Sequence, residues 1–294
     1  MYPFTLVTIF ILGSIIGSFL NVVILRSGTG IGFLRGSFCF TCRTALRFYE
    51  LVPIFSFLAL RGRCRSCRAK IHFQYPLVET LAGLLFLGVW LREMGGATLF
   101  DLFLQAGAYE RVLPHLVLLW TIVSILLAIA VYDIRHKIIP NAFVYAFITV
   151  AFTRVLVLEF RNWNLFGIWN LEIGNFEYLL NHASAGVTFF ILFAALWFLS
   201  RGRWMGLGDA KLAAGIGFFL GLSSGSAALV LSFWSGAFLS IALLFLKRFH
   251  TLFGGLKNLT IKSEIPFAPF LIVGALTAYF FSISFTDIAS LFVF

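Results

Sequence analysis

Four cysteines and two aspartates carry the chemistry this sequence offers. Cys39-Phe40-Thr41-Cys42 and Cys64-Arg65-Ser66-Cys67 are two C-x-x-C pairs separated by 21 residues. Tetrahedral zinc takes four thiolates, and each pair supplies two across a tight turn. Neighbouring Arg43, Arg63, Arg65 and Arg68 would favour ionised sulfurs. Four protein ligands leave no open position for water, so the metal would be structural. The alternative is four free thiols in a basic loop. Asp133 directly follows the uncharged run 112–132, and Asp209 stands in Gly206-Leu207-Gly208-Asp209. Two carboxylates at one depth can share a proton and hold a water, one as general base and the other as general acid. Gly206 and Gly208 would let backbone approach a peptide closely. Each aspartate also has a plainer reading, as a solvated boundary residue or, for Asp209, a helix N-cap.

The elements that must position these groups are membrane helices. Of the 294 residues 61% are hydrophobic and 12% charged, against about 45–50% and about 25% in soluble domains. With 37 Phe, a water-soluble fold would need a larger interior than this length encloses. Disorder and collagen-like structure are excluded by the same composition. Apolar segments fall at 1–25, 71–91, 112–132, 138–160, 178–200 and 265–286. Between Lys211 and Lys247 lie 35 uncharged residues, about 52 Å as one helix against a hydrocarbon core of about 30 Å. The Gly221–Ser226 stretch has the composition of a turn, which divides this run into 212–222 and 226–246. About eight spans result. No internal repeat is evident, and 161–177 reads as an irregular external loop.

Charge orients the chain. With the N-terminus outside, the loops 26–70, 133–137, 201–211 and 247–264 hold 18 of the 22 Lys and Arg. That bias marks them as cytoplasmic. The net charge of +10 therefore belongs to membrane topology rather than to a nucleic-acid partner. Residues 1–25 lack a basic n-region and a small-residue cleavage site, so they read as a retained span.

Several strings, in order, resemble the prepilin peptidase family of membrane aspartyl proteases. They are Gly17-Ser18-Phe19-Leu20-Asn21 followed by Arg26, the tetracysteine loop, Tyr75-Pro76-Leu77-Val78-Glu79, Asp133 before Ile139-Pro140-Asn141, Gly206-Leu207-Gly208-Asp209 with Lys211, and Ile265-Pro266-Phe267-Ala268-Pro269. Ala268 stands where the family usually has Gly. The resemblance implies an all-α polytopic membrane protein with a small cytoplasmic zinc-ribbon-like insertion. Its parts would be a first transmembrane segment (1–25), a zinc-binding domain (26–74) and a membrane peptidase domain (75–294). It also implies cleavage of type IV prepilin and pseudopilin leaders after Gly by Asp133 and Asp209, at the cytoplasmic face of the bacterial inner membrane. Members with this loop typically also methylate the new amino terminus using S-adenosylmethionine, an assignment that rests on the resemblance alone.

Three further residues are candidates. Glu79 could bind the leader or the incoming amine, and Asn21 and Arg26 could contact substrate backbone. Packing and interfacial roles compete for all three. The rival function is a proton-coupled transporter with the two aspartates as relays. The absence of an evident repeat and the near-surface aspartates count against it.

Overall fold

A computed structural model describes residues 2–30, 32, 36–95, 98, 108–162, 176–250 and 266–291. Among these the chain is helical, with two isolated antiparallel bridges and no strand. Among the described residues the α-helices are α1 (Tyr2–Arg26), α2 (Phe55–Ala59), α3 (Gln74–Met94), α4 (Ala108–His136), α5 (Asn141–Asn162), α6 (Phe176–Ser200), α7 (Leu207–His250), α8 (Ala268–Phe280) and α9 (Phe285–Ser290). Five carry stretches long and apolar enough to cross a membrane: Tyr2–Arg26, Val112–His136, Asn141–Glu159, Phe176–Ser200 and Leu207–Ala242. The chain is a multi-pass membrane protein. Of the other expected spans, α3 has 21 residues and buries Glu79, while the described part of 265–286 holds the 13-residue α8 and the start of the short α9. The expected external loop lies largely outside the described residues.

The chain divides into two compact units, Met1–Val131 and Tyr132–Phe294. In the first, α1 and α3 pack together through small residues. A Cβ on Gly17 would lie 2.8 Å from the Glu79 Cα, and one on Gly13 would lie 2.7 Å from the Ala82 carbonyl. Backbone contact this close needs glycine and suits helices that gain nothing from burying Leu away from lipid. Trp120 of α4 stacks on Phe86 of α3, with ring centroids 5.2 Å apart, and donates its indole N–H to the Phe86 carbonyl at 3.2 Å.

The second unit is built around α7, which packs on α5, α6, α8 and α9. The helix breaks at Gly221, where φ is 76° and ψ −174°, a conformation that only glycine adopts freely. Helix resumes at Leu222, so Ser223–Ser226 is helical and the expected turn contracts to one residue. The freed backbone groups are met from neighbouring helices. Arg154 of α5 donates to the Phe219 carbonyl at 3.3 Å, and His182 of α6 bonds the Phe218 carbonyl through Nδ1 at 2.9 Å. The Leu222 N–H donates to Asn181 Oδ1 at 3.2 Å. In an apolar medium an unmet carbonyl is costly, which is why polar side chains gather at this break.

The loop between α1 and α3 does contain an internal repeat. Cys39 N–H donates to the Thr44 carbonyl at 2.9 Å and Arg43 N–H to the Cys39 carbonyl at 2.9 Å. Twenty-five positions later Cys64 N–H donates to Ala69 at 2.8 Å and Arg68 N–H to Cys64 at 3.0 Å. Arg43 and Arg68 both sit in the left-handed region, at φ 58° and 61°. Bridges Phe38–Ala45 and Arg63–Lys70 close the two turns. The repeat is one of conformation, and only the cysteines and the following arginine recur in sequence.

Candidate functional site

Each aspartate is positioned by a helix N-terminus. Gly206 precedes α7, and its N–H donates to Asp209 Oδ2 at 3.1 Å. Asp209 is thus a third-position residue reaching back over the first turn, not the N-cap itself. Asp133 lies inside the last turn of α4 rather than beyond its end. The helix continues to His136 and closes where Lys137, at φ 55°, donates to the Asp133 carbonyl at 2.7 Å. The Asp133 carboxylate accepts the backbone N–H of Ala268, the first residue of α8. Helix N-termini offer unpaired N–H groups that suit anions, and here two of them hold the two carboxylates.

Asp133 is 4% exposed and Asp209 8%. They are close enough that the charge of Asp133 is felt at Asp209. Both belong to the second unit, so the fold brings together groups 76 positions apart. The remaining motif residues fasten this corner. Lys211 donates to Asn141 Oδ1 at 2.9 Å and lies over the Tyr145 ring at 5.2 Å. A Cβ on Gly208 would come within 3.1 Å of the Ile139 Cβ, so Gly208 makes room for the turn between α4 and α5. Gly206, by contrast, serves through its N–H. Ala268 and Lys211 emerge as site residues that the sequence marked as motif members but gave no partner.

In the first unit the four cysteine sulfurs lie within 4.8 Å of one another. Cys39 and Cys67 Sγ are 3.9 Å apart, and Cys42 and Cys64 Sγ 4.0 Å. A tetrahedron with Zn–S bonds of about 2.3 Å has edges of about 3.8 Å. The cluster could hold a metal ion of that kind. Hydrogen bonds with Thr44, from its side chain and its backbone, bring the Cys42 thiol down to about 6. Backbone N–H groups of Cys67 and Ser66 lower Cys64. At Cys67 the Ala69 N–H also favours the thiolate, but desolvation and the three other sulfurs outweigh it and push the thiol up to about 11.

Asn21, Arg26 and Glu79 are placed as follows. Asn21 is fully buried, donates to the Tyr75 carbonyl at 3.2 Å and leaves Oδ1 without a protein partner. Arg26 is buried and donates to the carbonyls of Gly32 (2.9 Å) and Gly36 (3.1 Å), joining α1 to the first cysteine turn. Glu79 Oε2 accepts the Ile54 N–H at 2.7 Å, and Ser18 also bonds its carboxylate. Among the described residues Glu79 therefore meets a backbone amide and a hydroxyl.

Two family models match the chain. One is described as the bacterial peptidase A24 N-terminal domain, over residues 11–93, and the other as the type IV leader peptidase family, over 120–241. The prepilin leader peptidase/N-methyltransferase of Bacillus subtilis (strain 168) is 30% identical over 274 residues, covering 93% of each chain. The chain belongs to the type IV leader peptidase family. The enzyme of the same name from Neisseria gonorrhoeae is 29% identical over 90% of this chain and 91% of that protein. That of Myxococcus xanthus (strain DK1622) is 35% identical over 67% of this chain, which spans 61% of its length. No solved structure matches. These relatives give the transporter alternative no support.

Proposed function

We propose that this leader-peptidase family member cleaves type IV prepilins and pseudopilins after a Gly, through Asp133 and Asp209. The observation that carries the reading is the pair of buried carboxylates, each held by a helix N-terminal N–H within one structural unit. One carboxylate takes a proton from a water as its oxygen bonds the scissile carbonyl carbon. The other, protonated, gives its proton to the departing amine as the C–N bond breaks. No covalent enzyme intermediate forms. The anchoring N–H groups fix one edge of each carboxylate and so aim the other at the water. We place this site at the cytoplasmic face of the bacterial inner membrane, with the N-terminus outside, on the strength of the charge asymmetry.

We assign 1–25 to the first transmembrane segment, 26–74 to zinc binding and 75–294 to the peptidase domain. Zinc at Cys39, Cys42, Cys64 and Cys67 would clamp the two turns, since the sulfur spacing fits its tetrahedron. Methylation of the new amino terminus, with S-adenosylmethionine as donor, is supported by the family resemblance and by the relatives' names. The unpartnered Asn21 Oδ1 and the Glu79 carboxylate, with Arg26 holding the adjoining loop, are the acceptors we assign to the incoming amine.

The deciding experiment is cleavage of a purified prepilin by detergent-solubilised enzyme, with and without S-adenosylmethionine. Asp133→Asn and Asp209→Asn should each abolish cleavage. Near-wild-type processing by either variant would refute the dyad.

A further inference from the structure

The segment between the two cysteine turns is unlike the rest of a soluble loop. Residues 51–60, Leu-Val-Pro-Ile-Phe-Ser-Phe-Leu-Ala-Leu, carry no charge, whereas Arg47, Arg61, Arg63, Arg65 and Arg68 crowd its flanks. Ten uncharged residues are too few to span a bilayer, and a stretch of this length fits an interfacial or re-entrant element. The side chains are not hidden in a core. Phe55 is 70% exposed, Leu58 63%, Phe48 83% and Phe73 66%.

Its attachment sets its depth. The Ile54 N–H is held by Glu79, on the second turn of α3, at 2.7 Å. Glu79 in turn lies beside Gly17, nine residues or about 13 Å before the end of α1. A helical side chain leans back toward its own N-terminus by up to a turn, so the Ile54 corner stands beside the first turns of α3 and the last turns of α1. The Phe57 ring packs edge-on to Phe73, just ahead of α3, with centroids 6.2 Å apart. Ile54 itself is kept at φ 62°, where a β-branched residue is strained, which fixes the corner between the 3₁₀ turn Phe48–Leu51 and α2. The segment therefore continues the lipid-facing surface of α1 and α3.

We propose that residues 51–60, with Phe48 and Phe73, form an interfacial anchor that dips into the lipid leaflet at the start of α3. Phe55 and Leu58 enter the acyl–headgroup boundary, and the exposed Arg47, Arg61 and Arg63 meet anionic lipid phosphates. The apolar area and the surrounding cations are complementary to a membrane containing acidic phospholipid. The anchor would press the metal-binding turns against the bilayer, and it holds whether or not the peptidase dyad is correctly assigned.

Photocrosslinking of the full chain in phosphatidylglycerol-containing proteoliposomes tests this. Phe55, Leu58, the lipid-facing Phe19 of α1 and the exposed Ser66 of the second cysteine turn are each replaced by p-benzoylphenylalanine. Variants are compared at equal metal content, so that a misfolded loop is recognised. Positions 55 and 58 should form phospholipid adducts at the Phe19 level, at least about tenfold above Ser66. Adduct yield at the Ser66 level from both positions would overturn the proposal. So would crosslinking of both to an added prepilin in place of lipid, which would make the surface a protein-docking site.

Discussion

Glu79 in the first unit and Asp209 in the second are both buried acids that accept a backbone N–H, yet their surroundings differ. Glu79 answers an amide 25 residues away and a neighbouring hydroxyl, and it sits among helices held by glycine contacts. Asp209 answers the amide three residues before it and is left facing a second carboxylate. Burial alone does not give an acid its role. Glu79 ties the loop to α3 and keeps acceptor capacity beyond its amide and hydroxyl, whereas Asp209 has a second carboxylate within reach of its charge.

The largest test of that contrast is in the second unit. Asp133→Asn or Asp209→Asn should lower prepilin cleavage by about 10²–10⁴-fold or more, because each removes a general acid–base function. Metal content should be unchanged at about one zinc per chain. Loss of metal in either variant would mean that the metal site depends on the two aspartates.

Cys64→Ser makes the reciprocal break. With one of four thiolates gone, bound zinc measured by elemental analysis should fall well below one per chain. Protection of residues 36–71 from proteolysis should fall with it, since few backbone hydrogen bonds close each cysteine turn. Retained stoichiometric zinc would sink the four-cysteine assignment.

Gly221→Ala addresses the break in α7. A side chain in that backbone region costs about 1–3 kcal/mol, and its Cβ would stand 2.8 Å from Asn181 Nδ2. Unfolding in detergent should shift down by about 2–4 °C for each kcal/mol lost. A variant as stable as the parent would show that the break is incidental. A comparable cost of about 1–3 kcal/mol is expected from Glu79→Ala, which strands the Ile54 N–H. The local readout is faster amide exchange at Ile54, with exchange at Asp209 unaltered.

The elements that could be read in advance were those encoded by local composition. Apolar run lengths located the long helices, and Gly221 with its serines flagged a break near the right place. Helix continues through Ser223–Ser226 because Ser and Gly are disfavoured in helices only by fractions of a kcal/mol to about 1 kcal/mol, which packing against α6 and α8 offsets. Asp133 looked like a post-helix residue because hydrophobicity ends at Tyr132, yet hydrogen bonding carries the helix one more turn. Partners supplied by backbone were invisible. Nothing in Ala268 announces that its amide will hold Asp133, and the substitution of Ala for the family's usual Gly leaves that amide in place. Ile54 and Glu79 likewise meet only through the return of the loop. The repeat of the cysteine turns is not legible in the sequence because backbone geometry, not side-chain identity, is what recurs.

The interruption at Gly221 also has an electrostatic result. A continuous 44-residue rod would present one set of unpaired amides and one of unpaired carbonyls, at its far ends. Interruption makes two shorter dipoles. The first ends in carbonyls that are met by the guanidinium of Arg154 and the imidazole of His182. Its opposite, positive pole lies at Gly206–Asp209. That pole keeps its partial charge whatever the remaining part of the rod does in the lipid.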